Sequence, residues 1–169
     1  MGAFRGRWMM VGAVTAVLLA GLPGGRAWAR KGPKVFSARI NGRQLVAHGR
    51  RTFGTYDGSI FLFEGAKPGG LHGTTRAAAF ACIAIGLDTA AFPLTLSCGG
   101  DYTEERIKGP VVKTWASLHG LQVTIQSFDD THASGTFSGT LEITSGNAGP
   151  LAPAPVENGR FSVAVSRSH

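Results

Sequence analysis

RAAAFACIAIGL, residues 76–87, decides between two fold classes. Its alanines favour a helix, and Thr74 or Thr75 stands where a helix cap would. Ile83, Ile85 and the following Gly86 favour a strand buried on both faces. The two cysteines of the chain, Cys82 and Cys98, tip the balance. A hairpin with Ala90 at its tip sets Cys82 opposite Cys98, Ala84 opposite Leu96 and Gly86 opposite Leu94. Cysteines opposed at a non-hydrogen-bonded pair have Cα atoms about 4.5 Å apart, within disulfide range. The stretch is therefore read as strand–loop–strand stapled by Cys82–Cys98, with a helix over 76–87 as the alternative. No CxxC spacing or adjacent histidine points to a metal or redox use of the pair.

The neighbouring segments repeat the strand pattern. VFSARINGRQLVAH, residues 35–48, places Asn41-Gly42 where a two-residue type I′ turn needs positive φ at both positions. Ile40 then opposes Arg43, Ala38 opposes Leu45, and Phe36 opposes Ala47. Residues 49–58 read as a connection, 59–63 as a short buried strand and 64–75 as a long Gly-rich loop. Residues 111–128 suggest a second hairpin around His119-Gly120, which puts Trp115 on a polar face beside Thr124. Residues 129–132 read as a turn, 145–158 as a loop, and GRFSVAVS as a closing strand. ASGTFSGTLEIT, residues 133–144, alternates strictly: Ala133, Gly135, Phe137, Gly139, Leu141 and Ile143 on one face, and hydroxyls with Glu142 on the other. Glycine makes up 25 of 169 residues and charged residues only 16%, which fits short strands and tight turns. The expected fold is all-β, an antiparallel β-sandwich or flattened barrel of about nine strands.

The N-terminal segment reads as a secretory signal. Arg5 and Arg7 precede the apolar run Met9–Leu22, Pro23 to Gly25 break it, and Ala27-Trp28-Ala29 fits cleavage between Ala29 and Arg30. Fourteen apolar residues fall short of a membrane span. Residues 30–169 then form one domain. The formal charge of +7 includes Arg5, Arg7 and Arg26, so the mature chain carries less of it. That surplus does not by itself indicate nucleic acid. A secreted or periplasmic location follows, with no membrane span in the mature form.

Candidate chemistry is sparse. Ser138 lacks the flanking glycines of G-x-S-x-G, since positions 136 and 140 are threonine. His48, His72, His119, His132 and His169 share no short metal-ligand spacing. Asp57, Asp101, Asp129 and Asp130 read as loop carboxylates, and Asp129-Asp130 lacks a calcium-loop register. Arg39 and Arg43 read as charges guarding a strand edge. No catalytic residue, metal ligand or cofactor site is therefore assigned. Trp115 with Thr136, Ser138 and Thr140 forms the candidate binding surface, with a loop from 64–75 or 145–158 expected over the tryptophan.

Several short motifs resemble uncharacterised bacterial exported proteins and lipoproteins. They are the strand ending in an N-G turn (Ala38 to Gly42), the G-x-V-x-I strand ending in an acidic turn (Gly120 to Asp130), and the G-T-F … N-G-x-F pair (Gly135 to Phe137, Asn158 to Phe161). The chain lacks a lipobox cysteine. The resemblance implies a β-sandwich and no catalytic residues. The functional expectation is a non-enzymatic binding or envelope component, its partner an envelope component, polysaccharide or protein. Two alternatives stand beside it. One is a calycin-like barrel with an interior ligand, suggested by the small residues Gly135, Gly139 and Ala116. The other is a hydrolase that gathers dispersed loop carboxylates in a cleft.

Overall fold

A computed structural model describes residues 34–70, 73–106, 112–129, 131–146 and 151–167. The expected signal segment, its cleavage point at Ala29 and Arg30, and His72, Asp130 and His169 lie outside them. The described chain forms nine strands: β1 (Val35–Ile40), β2 (Arg43–His48), β3 (Thr52–Tyr56), β4 (Ile60–Lys67), β5 (Thr74–Ile83), β6 (Leu94–Arg106), β7 (Val112–Asp129), β8 (His132–Gly146) and β9 (Ala154–Arg167). Short 3₁₀ turns at Gly49–Arg51 and Leu87–Thr89 are the helical elements among the described residues.

The strands do not stack as a sandwich. They run β2-β1-β9-β3-β4-β5-β6-β7-β8, and β8 pairs back onto β9. This closes a seven-stranded barrel from β3 to β9, with β1 and β2 as two further strands outside the closed ring. Strand β9 makes this possible by serving two neighbours on one edge. Its Val156 to Ser162 pair with β1, and its Val165 to Arg167 pair in parallel with β3. The expected sandwich has sheet edges; closure leaves none around the ring.

The ambiguous stretch is strand only as far as Ile83; Ala84 to Leu87 turn away from it, and Ile83 and Ile85, expected to be buried, are exposed. β5 pairs with β4 and β6, Cys82 opposes Cys98, and the disulfide spans Cα atoms 4.4 Å apart. The expected pairing beyond the cysteines does not continue. Gly86 turns at φ +73°, and Leu94 and Leu96 pair instead with Ile125 and Val123 of β7.

The Asn41-Gly42 hairpin has the expected register, with φ of 50° and 71° at the two turn residues. The second expected hairpin is absent. Residues 112–129 are one strand, and His119 and Gly120 do not have the positive φ that a type I′ turn requires. The segment is instead a bulge. From Ala116 to Leu121, β7 advances five residues while β8 goes from Glu142 only to Gly139. Ser117 Oγ accepts the Gly120 amide at 2.8 Å, and Leu118 points outward. The strands also extend into expected connections: 52–56 is β3, and 64–67 and 74–75 belong to β4 and β5.

Aromatic rings fill the barrel. Phe36, Phe61, Phe63, Phe80, Phe137 and Phe161 contact one another with centroids 4.3–6.4 Å apart. Phe36 comes from β1, so the outer hairpin seals the core rather than decorating it. Gly65 on β4 permits this contact, because a Cβ there would lie 2.4 Å from Phe36 Cγ.

Candidate functional site: the charged mouth of the barrel

The two ends of the barrel differ chemically. One end is shut. Leu87 is fully buried there, and the Tyr56 hydroxyl shares its one proton between the Gly58 and Ala84 carbonyls, 2.9 and 3.1 Å away, while accepting the Leu87 amide at 3.2 Å. Arg167 pairs with Asp88 at 2.7 Å beside it.

The other end carries charge on positions that face inward. The burial alternation of β2, β5 and β6 puts Arg43, Thr74, Arg76, Glu104 and Arg106 in phase with core residues Leu45, Ala78 and Tyr102. Lys113 is in phase with Trp115 on β7. These positions fall where the strands start or stop, so the alternation continues past the apolar core and delivers charges to the rim. Glu104 is the buried centre, 5% exposed. It accepts the Tyr102 hydroxyl at 2.7 Å. Arg43 Nε, from β2, and Arg76 Nε, from β5, each approach Glu104 Oε1 to 3.5 Å. β2 and β6 are not sheet neighbours, so the Arg43–Glu104 contact spans the mouth.

Arg43, Thr74, Glu104, Arg106 and Lys113 line a pocket of about 280 Å³ at this end. Arg106 and Lys113 have no acidic partner within salt-bridge distance among the described residues. Arg76 Nε is buried without an acceptor in hydrogen-bond geometry. Burial, then the hydrogen bond to Glu104 and its charge, hold the Tyr102 phenol well above its usual range, so it remains a donor. Below the pocket, Trp115 stacks on Tyr102 at 5.6 Å and donates its indole N–H to Ala152 O at 3.0 Å. One carboxylate among four cations can orient guanidinium groups and leave a positive surplus for an incoming anion. Neither a protein-family model, nor a curated protein, nor a solved structure matches this chain.

The sequence-level candidates fall elsewhere. Thr136, Ser138 and Thr140 lie on the outward face of β8, whereas Trp115 is 2% exposed and points inward. They do not form one surface. The change follows from β7 being continuous, since removing the His119-Gly120 turn reassigns its faces. A loop cover over Trp115 is present, through Ala152. Arg43, read as an edge guard, does lie on the terminal strand β2, and it also lines the mouth. Gly135 opens no interior cavity, because a Cβ there would lie 2.8 Å from the Phe161 ring; it lines an outer groove instead. Ala116 faces outward, opposite Asp101 and Glu142.

Among the described residues, the expected loop carboxylates do not gather in a cleft. Asp57 Oδ1 caps the Ser59 and Ile60 amides at 2.9 and 2.7 Å, and these bonds hold its carboxyl below the usual range. Asp129 accepts the Thr131 amide and hydroxyl. Asp101, expected in a loop, lies within β6. It and Glu64 flank Ala79 on the outer wall, a juxtaposition that needs the registers of three strands to be known. A separate outer groove of about 570 Å³ runs over Ser37, Gln126, Ser134, Thr136, Arg160 and Ser162. His132 Nε2 meets Ser162 Oγ at 2.9 Å beside it. Among the described residues, no group of three or more His, Cys, Asp or Glu could hold a metal ion.

Proposed function

We propose that this chain is an exported, disulfide-stapled binding protein, without catalysis of its own, that holds an anionic ligand at the charged mouth of its barrel. The observation that supports the reading is the contrast between the ends: one is plugged by Leu87 and Tyr56, the other lined by cations around buried Glu104. Ligand sites are common in the mouths of β-barrels, where a rigid wall fixes a few convergent polar groups. The ring-filled axis favours a site at the rim over a calycin-like interior. The Cys82–Cys98 bond and the signal-like N-terminus support export to an oxidising compartment, secreted or periplasmic.

Native mass spectrometry of protein taken from the exported fraction tests this. The expected result is a small anionic species bound to the wild type and lost from the Arg106→Gln/Lys113→Gln variant. Wild-type protein carrying no such species, or a variant that retains it, would overturn the proposal.

A further inference from the structure

We infer that the mouth is built for a tetrahedral oxyanion, the phosphate group of a small ligand, rather than for a carboxylate. The inference rests on the mouth being the ligand site, and adds the class. Three features of the geometry lead to it.

The first is the direction of the donors. Arg43 enters from β2, while Arg106 and Lys113 enter from β6 and β7, strands that β2 does not pair with. Thr74, opposite Arg106 in the β5–β6 ladder, adds a hydroxyl from β5. A planar carboxylate is satisfied by one guanidinium fork. Donors converging from separate walls suit a group whose oxygens point in several directions.

The second is charge. The lining holds three cations and one carboxylate, and Arg76 stands behind Glu104. The surplus suits a dianion better than a monoanion.

The third is division of labour. Glu104 engages Arg43 and Arg76 through their Nε atoms and is locked by Tyr102. It acts as a positioning residue that holds the arginines across the mouth. Arg106 and Lys113, which have no acidic partner in salt-bridge range among the described residues, are left to contact the ligand. A tethered carboxylate also repels anions that do not bring enough charge to offset it.

Isothermal titration of the full exported protein with inorganic phosphate, glycerol 3-phosphate and acetate, at matched ionic strength, tests the inference. Phosphate and glycerol 3-phosphate are expected to bind with one site per chain, and acetate at least ten-fold more weakly. A response to both phosphate probes assigns the group alone; a response to the ester only assigns a phosphate ester. Arg106→Gln and Lys113→Gln should each weaken binding about ten-fold, roughly 1.4 kcal/mol. Arg50→Gln, in the exposed turn before β3, should leave it unchanged. Both mouth substitutions are at rim positions, and an unchanged thermal melt separates lost contact from lost fold. Acetate binding as tightly as phosphate, no binding of either phosphate probe, or binding indifferent to both mouth variants would overturn the inference. If a co-purified species still depends on Arg106 and Lys113 when phosphate does not bind, the mouth remains the site and only the class is wrong.

Discussion

Glu104 and Glu64 show how one side chain serves different ends on the two faces of the same wall. Glu104 is held inside by a phenol and two guanidinium groups. Glu64 lies on the outer face across Ala79 from Asp101, without such partners. Burial first, and the Asp101 charge second, push its carboxyl up to about 7. Burial raises Asp101 in the same direction. Below the ordinary carboxylate range both folded and unfolded chains hold the Glu64 proton. Between that range and about 7 only the folded chain does, so stability falls as pH rises through this window. Glu64→Gln should therefore raise stability at about pH 8 by about 1 kcal/mol, after allowing for solvent screening at a part-exposed site. The gain should shrink to nothing near pH 4, where the wild-type side chain is also neutral. Thermal melts at the two pH values check this; an equal gain at both would remove the assigned cause. At this scale the sequence was least informative. Residues 64–67 read as loop, so the strand register that brings Glu64 to Asp101 had no anchor. A turn at His119-Gly120, beginning four residues after Trp115, would put Trp115 on the opposite face from the one the continuous strand gives it.

Two dipeptides of similar composition show why elements were partly legible. Asn41-Gly42 turns the chain because both residues take positive φ and alternating strands flank it. His119-Gly120 also sits between alternating strands, yet it becomes a bulge. Long ladders to β6 and β8 on either side keep β7 extended, and the extra residues are expelled as exposed Leu118 and His119. Local turn chemistry was outweighed by pairing partners that are remote in sequence. Cys82 and Cys98 carry long-range information because a covalent pair must lie opposite, and the bond sets β5 against β6. The β1–β2 hairpin depends on a different contact, Phe36 over Gly65. Gly65→Ala should cost about 3 kcal/mol through overpacking of that ring. Gly70→Ala, with nothing within 4 Å of its Cβ position, serves as the control. Urea denaturation with an unchanged m value reads the difference. A Gly65→Ala protein as stable as the control would show that β1 does not seal the barrel as described.

At the scale of the whole molecule, strand content and the single all-β class were readable, but closure was not. Alternation tells which residues face a core; it does not tell whether the sheet folds over another or curls onto itself. Here the answer lies in β9, whose two halves serve β1 and β3 on one edge while β8 occupies the other. None of these pairings joins strands adjacent in sequence except β8–β9. The charged mouth depends on this arrangement, because it brings Arg43 of the outer strand β2 to Glu104 of β6, a strand far from it in the sheet order. The clearest test of that account is amide and side-chain chemical-shift mapping of the full exported protein titrated with glycerol 3-phosphate. The account predicts saturable shifts at Arg43, Thr74, Arg76, Glu104, Arg106, Lys113 and the Trp115 indole. Shifts centred instead on Ser134, Arg160 and Ser162 in the outer groove, or no saturable shifts at all, would contradict it.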